Sequence, residues 1–174
     1  MPILQLIVDT IASVLGGVLL LRFWMQAIRV RPPSSVAQFT FTLTDWLVKP
    51  LRRIVPGAGG YDWASLIGAF LVVLLATSIL FIVGASAEQV FLLALGRFVK
   101  WIIYGFIALL IIEAIFSWVN PHAPLAPFVH ALNDPLLRPI RKVVPPIGGL
   151  DLSVLVAVLL LQIALYLLRI VVPI

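Results

Sequence analysis

The stretch PLRRIVPGAGGYD, residues 50–62, sets two arginines and an aspartate on either side of a glycine pair, and PIRKVVPPIGGLD, residues 139–151, repeats the arrangement at the same spacing. We call each segment a hook. The basic pairs Arg52/Arg53 and Arg141/Lys142 suit anchoring on anionic headgroups, or recognition of an anionic ligand or protein partner. At a membrane surface each such charge contributes about 1 kcal/mol of attraction. Asp62 and Asp151 stand where the next apolar stretch begins, as helix N-caps that satisfy free amide donors and complement the helix dipole; a cation or proton site is the alternative. Arg22 and Glu113 fall inside apolar stretches, where an ionisable group is a functional candidate by default. Either they pair with each other, or Arg22 snorkels to the interface and Glu113 stays neutral or hydrated.

Other reactive chemistry is sparse. His122 and His130 are the only histidines, and His130 with Asp134 at i+4 offers too few ligands for a metal centre. There is no nucleophile elbow, Walker loop, zincin helix or dinucleotide-binding turn, and the glycine pairs lack the strand that phosphate-cradling motifs need. No catalytic residue, metal or cofactor is expected, and the chain is read as a non-enzyme.

What must position these residues follows from the solvent the chain lives in. Its 174 residues are 63% hydrophobic and 11% charged, with mean hydropathy +1.19. A soluble domain carries roughly a quarter charged residues. So much apolar surface cannot be hidden in a soluble fold of this size, which predicts an all-α integral membrane protein. The absence of cysteine excludes disulfides and thiolate chemistry. The net charge of +5 points to anionic lipid rather than nucleic acid.

Four stretches exceed the roughly 20 residues needed to span a bilayer: Ile3 to Ile28, Trp63 to Ala87, Gln89 to Val119 and Leu152 to Val172. The third overhangs, or splits into a short interfacial helix from Glu88 to Lys100 and a span from Trp101. The first has Asp9 and no basic residue before Arg22, so it reads as a retained helix rather than a signal peptide.

A shift of 89 residues lays Pro32–Leu66 on Pro121–Leu155 without a gap: Asp45 falls on Asp134, Lys49 on Arg138, Arg52 on Arg141 and Asp62 on Asp151. The chain is therefore read as a tandem duplication, with repeats at 1–87 and 88–174. With two spans in each, the repeats share one orientation, related by a pseudo-two-fold axis along the membrane normal. Both hooks then share a face that holds Arg29, Arg31, Lys49, Arg52, Arg53, Arg138, Arg141 and Lys142, eight of the twelve basic residues. The positive-inside rule makes that face cytoplasmic and puts both termini outside.

Between the spans of the first repeat, Ser35 and Gln38 have capping-box spacing, and Val36, Phe39, Leu43, Trp46 and Leu47 recur near helical period. An amphipathic helix lying on the bilayer is expected there. Its counterpart carries Pro124 and Pro127 and must start late or break. Pro50 and Pro139 are expected to end or kink these helices, with the basic pairs beyond them, and the glycine pairs to turn through positive φ.

The run Phe116-Ser-Trp-Val-Asn-Pro121, then Asp134-Pro-Leu-Leu-Arg-Pro-Ile-Arg-Lys142 and Pro145-Pro-Ile-Gly-Gly-Leu-Asp-Leu-Ser153, resembles the repeat of the YggT/YlmG family of small integral membrane proteins. Arg22-Phe-Trp-Met-Gln26 and Pro50-Leu-Arg-Arg-Ile-Val-Pro56 resemble the first repeat of its two-repeat proteobacterial members. Val154 replaces the proline usual after Asp-x-Ser, and the first repeat has Asp62-Trp-Ala. The resemblance implies a multi-pass protein of the bacterial inner membrane, from a family linked to osmotic or ion-stress tolerance, cell division and membrane-cytochrome assembly. It brings no catalytic residues.

Two functions are consistent with these features. One is a scaffold or assembly factor presenting a basic platform to lipids or to another membrane protein. The other is an oligomeric channel or transporter component, in which Gly16, Gly17 and Gly105 pack protomers while Arg22, Glu113, Gln26 and Gln162 line a polar path.

Overall fold

The computed structural model describes residues 2–144 and 151–172. Among them run six α-helices and no strand: α1 Pro2–Ala27, α2 Ser34–Ile54, α3 Trp63–Thr77, α4 Ala87–Val119, α5 Ala126–Arg141 and α6 Leu152–Val171. Four helices are long and apolar enough to cross a membrane, at Ile3–Ala27, Trp63–Ile82, Ala87–Val119 and Leu152–Val171. The chain is thus an all-α membrane protein. The second of these spans is α3 continued by a tighter 3-10 run, Ser78–Val83, which Gly84 closes at φ +85°.

α4 is one unbroken helix of 33 residues, so no separate interfacial piece precedes Trp101. At 1.5 Å per residue it is about 50 Å long, well beyond the hydrocarbon thickness of about 30 Å. Its start is fixed by a reciprocal capping box. Ser86 Oγ accepts from Gln89 N–H, and the Gln89 side chain accepts from Ser86 N–H.

The length of α4 lets it serve two cores. Phe98 and Trp101 pack on a cluster of Ala12 and Leu19 from α1, Val48 from α2, and Ala64, Ala69, Val72 and Ala76 from α3. Further along, its Leu110 joins Leu137 of α5 and Ala157 of α6. Small residues dominate the first cluster because close helix approach, rather than apolar area, drives packing where the surroundings are lipid. Large apolar side chains face outward instead, among them Ile3, Leu6 and Ile11 on α1 and Leu155, Leu159 and Ile163 on α6.

α2 and α5 turn equivalent faces inward. Thr40, Thr44 and Val48 are buried on α2, and Val129, Asn133 and Leu137, the residues 89 positions on, are buried on α5. Thr44 Oγ1 donates to Thr40 O at 2.6 Å and Asn133 Nδ2 to Leu109 O of α4 at 3.0 Å, whereas Thr40 Oγ1 and Asn133 Oδ1 have no hydrogen-bond partner among the described residues. The aromatic residues Phe39 and Trp46 of α2 are 57% and 64% exposed.

Several local expectations are corrected. α2 begins at Ser34 with Pro33 at the cap position and no side-chain cap, so Ser35 and Gln38 form no box. Pro50 and Pro139 do not end their helices, and Arg52, Arg53 and Arg141 belong to the last helical turns. Both prolines are exposed, so the carbonyl each leaves unbonded lies on the outer side of its helix. α5 starts late with Pro127 in its first turn, where the missing N–H costs nothing. Gly59 and Gly60 of the first hook have φ of +68° and +82°, and Ala58 and Tyr61 bridge across them. Two central residues of positive φ are what a type I′ turn demands. Pro145, Gly148 and Gly149 of the second hook lie outside the described residues.

Gly16 packs within the chain, not between protomers. A Cβ there would collide with Cζ3 of Trp101, whereas at Gly17 it would meet nothing within 4 Å. Gly16→Ala should therefore destabilise the protein by about 1–3 kcal/mol through overpacking. Gly17→Ala should be neutral or gain up to about 1 kcal/mol of helix propensity. Thermal unfolding in detergent micelles measures both, and adding Trp101→Leu to Gly16→Ala should recover part of the loss.

Candidate functional site

The ionisable residues gather into two networks, one where α1, α2 and the first hook meet, the other where α4, α5 and the start of α6 meet. In the first, Arg22 of α1 is only 5% exposed. Its Nη1 donates to Thr44 Oγ1 at 2.6 Å and Asp45 Oδ1 at 2.8 Å, and its Nε lies 3.5 Å from Asp62 Oδ2. Its guanidinium carbon sits 4.8 Å from the centroid of the Phe41 ring, a cation–π distance. Asp62, 3% exposed, is gripped by Arg52 through Nη2 at 2.6 Å and Nε at 3.2 Å, and Ser65 Oγ donates to it at 2.6 Å. Lys49 completes the network at 2.8 Å from Asp45.

The second network reverses the sign of its central charge. Glu113 of α4 is 11% exposed, and its Oε1 lies 2.9 Å from His130 Nδ1 and 3.2 Å from Arg141 Nη2. Arg141 also binds Asp151 through Nε at 2.9 Å and Nη2 at 2.8 Å, and reaches Asp134 at 3.9 Å. Arg138 pairs with Asp134 at 3.0 Å. The first network thus joins three cations to two carboxylates, and the second joins two arginines to three carboxylates and a histidine. A third pair sits at the other end of the bundle, where Arg97 of α4 meets Asp9 of α1 and its Nη1 donates to Thr77 Oγ1 at 3.3 Å.

Arg22 and Glu113 therefore do not pair with each other. Each is engaged among the α1–α3 or the α4–α6 helices, by Asp45 and Asp62 in the one case and by Arg141 and His130 in the other. Trp24, at the position of Glu113 in the first repeat, spends its polar end otherwise: Nε1 donates to Leu132 O of α5 at 2.9 Å, and its ring meets Phe106 edge-on. Arg52 and Arg141 are committed to Asp62 and Asp151, whereas Arg53 and Lys142 are exposed and form no ion pair among the described residues. His130 contacts Glu113 rather than forming a site with Asp134, and His122 is exposed.

Asp62 and Asp151 both precede their helices, but they act differently. Asp151 accepts from Ser153 N–H at 3.0 Å as a cap should. The Asp62 carboxylate accepts no helix amide; it is turned toward Arg52 and Ser65 instead. Sequence reasoning missed Thr44, Asp45, Ser65 and Ser153. The i, i+4 spacing of Asp45 with Lys49, repeated as Asp134 with Arg138, was the available signal.

Burial alone would push the Asp62 carboxyl up, but hydrogen bonds from Arg52 and Ser65, with the charges of Arg52 and Arg22, hold it below the ordinary aspartate value. Asp151 behaves alike, with Ser153 and Arg141 outweighing burial. Asp45 is lowered by its bonds to Lys49 and Arg22, and Arg52 is raised by its bond to Asp62.

Two outcomes follow. Asp62→Ala removes the carboxylate that Arg52 and Arg22 share and should cost about 1.5–3 kcal/mol in thermal unfolding, since Asp45 still answers Arg22. Arg22→Met should cost less, since Arg52 still neutralises Asp62. The depressed carboxyls contribute stability that is fully present above their unfolded value near pH 4 and lost as pH falls through their lower folded values. Melting temperature should hold from pH 7 to about 4 and drop below it, with a shallower drop in Asp62→Asn.

The family model described as CCB3/YggT matches residues 1–83 and 92–172. An uncharacterized protein from the region 3′ of proC in Vibrio alginolyticus is 33% identical, over 94% of this chain and 92% of its own length. The YggT protein of Escherichia coli K12 is 34% identical over 94% and 87%. An uncharacterized Pseudomonas aeruginosa protein is 37% identical over 90% and 83%. No solved structure matches. The matches cover both groups of helices and both ionic networks, and the chain belongs to the CCB3/YggT family.

Proposed function

We propose that this chain is a non-enzymatic scaffold or assembly factor of the bacterial inner membrane, whose hook-bearing face is a basic cytoplasmic platform for anionic lipids or another membrane protein. The observation that carries this reading is where the charges go. Arg22, Glu113 and Arg97, within the spans, are each engaged by partners in the same chain, and so cannot line a path with free charge. At the hook face, Arg53, Lys142, Arg29 and Arg31 stay exposed and form no ion pair among the described residues.

In this reading α2 and α5 are amphipathic helices embedded at the membrane surface. The polar threonine stripe of α2 faces the bundle, and Phe39 and Trp46 enter the lipid interface. The two repeats run in the same sense, with both hooks cytoplasmic and both termini outside. A part in osmotic-stress tolerance or cell division would be exerted through whatever this face gathers.

Potassium or sodium flux into liposomes carrying the purified protein, with and without hypo-osmotic shock, should match that of empty liposomes. Photo-cross-linkers at Trp46, Arg53 and Lys142 in cells should capture a discrete membrane protein, and Arg53→Gln with Lys142→Gln should weaken the capture. Flux that changes in Arg22→Gln or Glu113→Gln would replace the scaffold with an oligomeric conduit.

A further inference from the structure

At the hook end of α1 a pocket of about 330 Å³ opens between the helix end, the link to α2 and the first hook. Arg22, Gln26, Arg29 and Arg31 supply its polar lining, and Met25 and Phe41 are among its apolar walls. Arg29 and Arg31 are exposed and have no carboxylate at ion-pair distance among the described residues. Arg22 is buried, and its Nε has no hydrogen-bond partner. The pocket thus has unpaired cationic capacity on Arg29 and Arg31, and an N–H on Arg22 that no hydrogen bond uses although Asp45 and Asp62 balance its charge.

The backbone that builds the pocket is unusual. Val30 N–H donates to Met25 O at 3.0 Å and Arg29 N–H to Gln26 O at 3.1 Å, the bond pair of a Schellman motif. The residue at its left-handed position is normally glycine, yet here it is Arg29, at φ +58°. Arg29 is the only non-glycine residue of positive φ among those described. This conformation brings its Nη2 against the first hook, 3.9 Å from where a Cβ on Gly60 would stand. Helix termination alone would be better served by glycine, so an arginine at this position points to a use for its side chain. The 89-residue shift places Ile111, Ile115, Trp118 and Asn120 at the positions of Arg22, Gln26, Arg29 and Arg31, so the pocket's polar set occurs in the first repeat only.

We propose that this pocket binds the phosphate of an anionic phospholipid. Guanidinium groups match phosphate oxygens in fork geometry, and Gln26 adds an amide donor. A lipid, rather than free phosphate, is the source. The span of α1 ends at Ala27, which sets Arg29 and Arg31 at headgroup depth, and Met25 and Phe41 offer apolar surface to the glycerol and upper acyl chain. This deepens the basic-platform reading by giving it one defined ligand and seat. The two fail separately, because a lost cross-link with lipid binding intact would remove the partner and not the lipid site.

The test is thermal unfolding of the full chain in maltoside micelles, titrated with short-chain phosphatidylglycerol, phosphatidylcholine or inorganic phosphate. Phosphatidylglycerol should raise the melting temperature saturably, and the other two should not. Arg29→Gly, which relieves the left-handed backbone, should keep or raise the melting temperature without lipid yet move the phosphatidylglycerol midpoint about fivefold upward. Arg31→Gln should do likewise, and Arg169→Gln, at the far end of α6, should leave it unchanged. An unchanged midpoint in Arg29→Gly, or an equal loss in Arg169→Gln, would overturn the site. Stabilisation by inorganic phosphate as strong as by phosphatidylglycerol would overturn the lipid as its source.

Discussion

A charge buried where a helix leaves the membrane has to be answered by the chain itself, and that constraint organises this protein. Arg22 is seated among α1, α2 and the first hook with little access to water, so an unopposed guanidinium there would carry a desolvation cost of several kcal/mol. Asp45 answers it from α2 and Asp62 from the entry to α3. Because Asp62 is also gripped by Arg52, the end of α2 is tied to the start of α3. The glycine turn between them can then be short and sharply bent, since its ends are held by the ion pair.

The second half solves the same problem with the sign reversed. Glu113 is the buried charge, Arg141 takes the place of Arg52, and His130 stands where Phe41 stacks on Arg22. An arginine from the last turn of α2 or α5 meeting an aspartate at the start of the next helix is common to both halves; the central residue is not. A central arginine in one network and a central glutamate in the other leave the halves electrostatically distinct, and the arginine-lined pocket beside Arg22 is a further asymmetry.

Much of this frame was legible in the sequence, for physical reasons. Long apolar runs give spans, and Gly59-Gly60 gives a turn of positive φ, because few other residues adopt either state cheaply. The inward faces of α2 and α5 follow from helical spacing once the two repeats are aligned. Pairing was less legible. A sequence places Arg22 and Glu113 at nearly equal depth but says nothing of the direction in which each points, and rotation about the helix axis decided their partners. Of the two outcomes expected at Pro50, an end or a kink, the end does not occur, because the cost of the orphaned carbonyl depends on whether it faces outward, which is a tertiary property. The left-handed Arg29 was invisible, since nothing in its type favours that conformation.

The claim that each buried charge is neutralised within its own group of helices is tested most directly by double-mutant cycles on unfolding free energy in micelles. The account requires Arg22 and Asp62 to be coupled by more than about 1 kcal/mol, and Arg22 and Glu113 to be additive within about 0.5 kcal/mol. Additivity between Arg22 and Asp62, with strong coupling between Arg22 and Glu113, would contradict it and return the two span charges to a shared path through the membrane.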